Sequence, residues 1–213
     1  MLPKELDNIF QEYSEDDFNL CITKVDYSTD NFIIDFLLDI QDINDKGAII
    51  QEWTITATGH RKNNLSFDFE PLIEIKGDHP LLWEFCDTQC ELYYSGQCKD
   101  FPKLFYDLYK THKLIFGSYK CFDISFGEET NYYKPFQSTS GLLAKGSKQL
   151  MLQYSGCLKQ NGLDFTLIGE RPAKYWNGTD FIIESHNLKV LFFGKGYIIA
   201  KDFSFVRHEK NSR

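Results

Sequence analysis

Apolar and polar residues alternate with a period of two over most of the first 76 positions. In "NFIIDFLLDIQD" (31–42), Phe32, Ile34, Phe36, Leu38 and Ile40 alternate with more polar neighbours. A strand with one buried face produces this pattern. "IIQEWTITATG" sets Trp53, Ile55 and Ala57 against Glu52, Thr54 and Thr56, and "LSFDF" sets Leu65, Phe67 and Phe69 against Ser66 and Asp68. "NDKG" (44–47) and "RKNN" (61–64) read as turns, and "LIEIK" as a short fifth strand. Short turns between consecutive strands predict an antiparallel meander whose neighbours follow sequence order. Ahead of it, "PKELDNIFQEY" predicts a short amphipathic helix, with Pro3 in its first turn and Leu6, Ile9 and Phe10 on one side.

The period changes in "DFPKLFYDLYKTHK" (100–113). Phe101, Leu104, Phe105, Leu108 and His112 share one helical stripe, and Asp100 is placed to cap the first turn. "SYKCFDISF" (118–126) returns to alternation. "STSGLLAKG" (138–146) reads as a short helix. A longer helix follows, with Ser147 as N-cap, Leu150, Met151, Tyr154 and Leu158 at helical spacing, and Asn161-Gly162 as its stop. "LDFTLIGE" reads as a strand, and "LKVLFFGKGYIIAKDFSFV" as a hairpin turning at Gly194-Lys195-Gly196.

The prediction is therefore an α+β protein: an N-terminal antiparallel β-meander, one central helix, a helical pair and a C-terminal β-hairpin. The pattern of elements changes near 127–135. This gives a β-rich half, 1–128, with the N-terminal and central helices, and a smaller α+β half, 129–213. A single continuous domain is the alternative.

Charge narrows the partners. The 213 residues carry a formal net charge of −8. Such a field repels a phosphate backbone, and neither "HRK" (60–62) nor "VRHEK" (206–210) forms a sizeable basic patch. Nucleic acid is therefore not an expected partner, while another protein is, and a homo-oligomer is compatible with the composition. No apolar run is long enough to cross a bilayer, so no membrane association is expected. The start lacks the apolar core of a secretory signal, which predicts a soluble, cytoplasmic protein whose six cysteines are thiols.

The densest chemistry lies in "GDHPLLWEFCDTQCELYYSG" (77–96). Cys86, Cys90, Cys98 and a histidine could be offered to zinc, but the C-x3-C and C-x7-C spacings lack the paired knuckles of a structural site. On an extended strand, Cys86 and Cys90 would sit roughly 13 Å apart. No metal and no cofactor is expected. Pro80 forces His79 to be extended, and 89–94 reads as a strand with Cys90, Leu92 and Tyr94 inward. Asp78, His79 and Trp83 remain as the one group resembling a site. "GLLAKGSK" (141–148) has phosphate-loop glycine spacing, but Ser147 precedes Lys148 where a phosphate loop requires the reverse. The following helix start could still hold an anion. His112 lies on an apolar stripe, which favours a hydrogen-bonded core histidine.

No convergent catalytic set emerges. The sequence favours a non-enzymatic intracellular binding or protein-interaction protein, with Trp83, Tyr175 and Trp176 as anchors if exposed. The alternative is an enzyme or small-ligand protein with a cleft near Asp78, His79 and His112.

Overall fold

The computed structural model describes residues 2–13, 17–27, 31–41, 49–65, 73–123, 138–184 and 187–208. It is a mixed α+β protein whose sheets are antiparallel. The elements run α1 (Lys4–Glu12), β1 (Phe18–Asp26), β2 (Asn31–Ile40), β3 (Ile49–Thr58), β4 (Lys62–Asn64) and β5 (Ile73–Lys76). Then come α2 (Trp83–Cys86), β6 (Thr88–Ser95), α3 (Phe101–Phe116), β7 (Ser140–Ser147) and α4 (Lys148–Gln160). The chain ends with β8 (Asp164–Pro172), β9 (Lys174–Trp176), β10 (Phe181–Ile183), β11 (Lys189–Phe193), β12 (Gly196–Ala200) and β13 (Asp202–His208). They form two compact units, 1–78 with 186–213, and 79–185. The boundary expected at 128–129 lies outside the described residues.

In the first unit, β1, β2, β3 and β13 form one sheet in that order. The predicted alternation holds: Phe32, Ile34, Phe36, Leu38, Ile40, Trp53, Ile55 and Ala57 are all buried. They share a core with Leu6 and Ile9 of α1 and with Leu191, Phe193 and Ile198. Each large side chain so buried contributes about 1.5–3 kcal/mol. α1 begins after Pro3, with Glu5 and Asp7 at the positive end of its dipole. Glu5 also accepts from Arg207 of β13.

The meander stops after β3. β4 and β5 leave the first sheet and flank the β11–β12 hairpin in a second one, ordered β4-β12-β11-β5. The reason lies in composition. β12 is buried at every position and β11 at all but Lys189, so this pair takes the centre, while the short β4 and β5 take the edges. The hairpin turns at Gly194 and Lys195, with Gly194 at φ 58. The turn expected over 61–64 occurs earlier, at Gly59 (φ 63), and 62–64 pair with β12. Residues 66–70, most of the strand expected at 65–69, lie outside the described residues, as does the 44–47 turn.

In the second unit, β7, β6 and β8 form a sheet ordered β7-β6-β8, and α4 packs on it with α3 alongside. Cys90, Leu92 and Tyr94 are buried as expected, as are Leu104, Leu108 and His112 of the α3 stripe, while Phe101 and Phe105 are half-buried. Asp100 Oδ1 accepts from Lys103 N at 3.0 Å, and Ser147 Oγ accepts from Leu150 N at 3.4 Å. Two expectations fail here. Residues 138–146 are not a helix: 140–147 form strand β7, so the helical pair reduces to α4 alone. A nine-residue segment with two glycines is a poor isolated helix, and pairing with β6 supplies its backbone partners instead. The strand expected at 118–126 is absent from its described part. Phe122 instead turns back onto the helices, its ring 5.5 Å from His112 and 6.5 Å from Tyr154; residues 124–126 lie outside the described residues.

Candidate functional site

The site grows from a fault in β8. Ile168 pairs with Glu91 and Arg171 with Gln89, so Gly169 and Glu170 together face the single Cys90, one residue more than the ladder needs. Gly169 takes φ 72, which a side chain would resist, and the bulge re-aims the residues that follow it. Pro172 lacks an N–H and lies at the end of the ladder. Beyond it, β9 and β10 make a small sheet of their own, pairing Trp176 with Phe181, Tyr175 with Ile182 and Lys174 with Ile183.

The turn of this hairpin is fixed by one side chain. Asn177 Oδ1 accepts from Thr179 N at 2.9 Å, Thr179 Oγ1 at 3.0 Å and Asp180 N at 2.7 Å, with Gly178 at φ 106. Period-two alternation then puts Lys174, Trp176, Phe181 and Ile183 on one face. That face is wet: Trp176 is 55% exposed, Phe181 67% and Ile183 54%. The Trp176 and Phe181 rings lie 5.2 Å apart. Ile182, on the other face, is also exposed, and Tyr175 is half-buried. Clustered apolar side chains of this size mark an interaction surface more often than singly scattered ones do.

A cavity of about 370 Å³ adjoins the hairpin, lined by Phe85, Cys86, Asp87, Glu170, Arg171, Ile183 and Glu184 among others. Two of its acids are committed internally. Asp87 Oδ2 accepts from Gln149 N at 2.9 Å, and its Oδ1 accepts from Thr88 N at 2.8 Å. The anion position expected at the start of α4 is thus filled by this protein's own carboxylate. Glu170 binds Lys148 Nζ at 2.8 Å, which raises the lysine's proton affinity. Among the described residues, the side chains of Arg171 and Lys174 make no hydrogen bond or ion pair. Arg171 exerts only a minor pull on Glu91, whose carboxyl is held below its ordinary range mainly by Lys145.

The residues expected from sequence scatter. Tyr175 and Trp176 belong to the hairpin. Trp83 lines a different cavity of about 120 Å³, with Phe116, Lys120 and Lys145, its ring 6.1 Å from Phe116. His79 Nδ1 accepts from Leu81 N at 3.2 Å and so caps the short 3-10 turn over 80–82. His112 is fully buried between Tyr154 Oη, 2.7 Å from Nδ1, and the Lys120 carbonyl, 2.9 Å from Nε2. Burial pushes its pKa down. Asp78 ends the first of the two segments that make up the first unit. Neither it, His79 nor His112 lines either cavity. Phe181 and Ile183 were not expected. The signal was present: "KYW" and "FII" flank the four residues "NGTD", a turn composition between two apolar runs.

The first unit has its own concavity, about 430 Å³, on the outward side of its β1–β3 and β13 sheet. Thr54 Oγ1 donates to Asp35 Oδ1 at 2.6 Å and lies 2.7 Å from His208 Nε2. With its proton on the carboxylate, the hydroxyl can only accept from the imidazole. This chain of bonds ties three strands together.

Among the described residues, no group of three or more His, Cys, Asp and Glu side chains is arranged to hold a metal ion, and no helix is long and apolar enough to cross a membrane. None of the six cysteines is in a disulfide. No family model matches the chain, and neither a curated protein nor a solved structure matches it.

Proposed function

We propose that this chain is a non-enzymatic binding protein for another protein, with the β9–β10 hairpin as its contact surface. The observation that carries the reading is the outward face of that hairpin, where Trp176, Phe181 and Ile183 stand together in water. Aromatic residues supply large contact area with few rotatable bonds to order, and such residues anchor interfaces. The thiol state of all six cysteines fits a reducing compartment such as the cytoplasm. The alternative, a small-ligand cleft at Asp78, His79 and His112, has less support, because both ring nitrogens of His112 are already engaged inside the core.

A photo-crosslinking phenylalanine analogue placed at Phe181 of the full chain tests the proposal in cells. The control carries the same group at Leu114, which is 79% exposed on α3. Crosslinks to a discrete second protein from position 181 and not from 114 are expected. Equal crosslinking from both positions, or none from 181, would refute the reading.

A further inference from the structure

We infer that the occupant of the hairpin surface is a peptide segment of a different protein in which carboxylate side chains neighbour apolar ones; this rests on the function proposed above. The overall charge of −8 points towards basic partners, but two cations at the contact face keep free side chains although the cavity wall also carries Asp87, Glu170 and Glu184. Lys174 stands on the same face as Trp176 and Phe181, directly across from Ile183. Arg171 lines the adjoining cavity, whose wall also includes Ile183. Neither cation has a hydrogen-bond or ion-pair partner among the described residues. The nearby acids are mostly engaged: Asp87 by the first turn of α4 and by Thr88, Glu170 by Lys148, and Glu184, also at the cavity, has interactions of its own. Asp180 sits at the hairpin turn, away from the Lys174 end.

Two uncommitted cations beside three exposed apolar side chains match a ligand of mixed character. A carboxylate on Arg171 gains paired, charge-assisted hydrogen bonds, and one near Lys174 gains a point charge. An apolar residue between them reaches Ile183 and the cavity wall formed by Phe85 and Pro172. A segment rich in Lys or Arg would leave both cations facing like charge.

The test uses the full-length protein and a random-peptide display library as the probe. Selected peptides are then synthesised and titrated by fluorescence anisotropy against wild type, Arg171→Glu, Lys174→Glu and Trp176→Ser, each checked for native circular dichroism. The expected result is a set of peptides that place Asp or Glu next to apolar residues. Binding should weaken about tenfold or more with each charge reversal, and also with added salt. Peptides rich in Lys or Arg, or affinities unmoved by Arg171→Glu and Lys174→Glu, overturn the inference. A library that yields no binder does the same. Loss of binding with Trp176→Ser but not with the charge variants sinks this inference and leaves the interaction surface standing. Indifference to Trp176→Ser sinks the surface itself. Self-association abolished by Trp176→Ser, seen by light scattering, assigns the surface to a second copy and also overturns the inference.

Discussion

The Tyr154 hydroxyl tests the core of the second unit, because its role follows from valence alone. The Lys120 carbonyl can only accept, so His112 Nε2, 2.9 Å away, carries the proton. In the neutral ring Nδ1 is then a lone pair, and the Tyr154 hydroxyl 2.7 Å away donates to it. Both ring nitrogens are satisfied without charge, which suits a site that burial keeps below the ordinary histidine pKa. Tyr154→Phe keeps the ring, opens no cavity and strands one buried acceptor, at a cost of about 1–3 kcal/mol. Urea unfolding followed by circular dichroism should show a lower midpoint with an unchanged slope. The same pair sets a pH dependence. An unfolded histidine takes up its proton near pH 6.5, while buried His112 does so only at lower pH. Stability from this group is therefore complete above about pH 6.5, and falls as pH drops from there through the folded pKa, by up to about 1.4 kcal/mol per pH unit. His60, also pushed down mainly by burial, adds a slope of the same sign. Tyr154→Phe should retain both slopes, and His112→Gln should remove one. A Tyr154→Phe protein within about 0.5 kcal/mol of wild type, or a His112→Gln protein with an unaltered pH profile, would refute this account.

Asp87→Ala removes the carboxylate that receives Gln149 N and Thr88 N, and should cost about 1 kcal/mol in a thermal melt; an unchanged melting temperature counts against the cap. Gly141→Val places a Cβ 3.2 Å from the Tyr94 hydroxyl oxygen and should destabilise by about 1–3 kcal/mol, although valine favours strands; denaturant titration reads the sign. Thiol titration of the native protein should label exposed Cys86 and Cys121 first, while Cys90 and Cys157, buried with thiol pKa raised by burial, react only on unfolding; equal rates would contradict the packing. Trp176→Ser and Phe181→Ser should each leave stability within about 0.5 kcal/mol of wild type, whereas Phe36→Ala in the core should cost about 3–5 kcal/mol in the same assay.

The sequence was legible where one period ran long enough to outweigh alternatives. The alternation through β2 and β3 predicted its buried residues one by one, and the α3 stripe and both ends of α4 were equally clear. Failures came where a segment's own preference was weak. "STSGLLAKG" offers little to either state, and only its partner β6, some fifty residues earlier, makes it a strand. The two-unit division was invisible for a related reason. The first unit is closed by β11, β12 and β13 from the other end of the chain, and no local pattern records which distant strand completes a sheet. Of the residues expected as anchors, Trp176 stands on the exposed face of the hairpin and Tyr175 half-buried on its other face, and aromatic content alone had pointed to both. His112 was recognised by its place on an apolar stripe. Asp78, His79 and Trp83 owed their selection to proximity in sequence, which the turn at Pro80 does not convert into convergence.

Stability alone gives no reason for the hairpin's composition. A two-stranded ribbon of three residues per strand is marginal in water, and here the Asn177 turn holds it while Trp176, Phe181 and Ile183 of its outward face stay exposed. Exposed Trp, Phe and Ile forgo about 25 cal/mol for each Å² they leave wet. Serine or threonine at those positions would keep the strand pairing without that penalty. The same reasoning separates the two scales of charge. A net of −8 describes the long-range field, which acts on encounter over roughly a Debye length. Lys174 and Arg171 act at contact, where the apolar residues of a bound segment would exclude water and strengthen the interactions they make. A partner segment that is acidic and apolar would be slowed by the first and held by the second, so its affinity should reside in slow dissociation rather than in rapid capture.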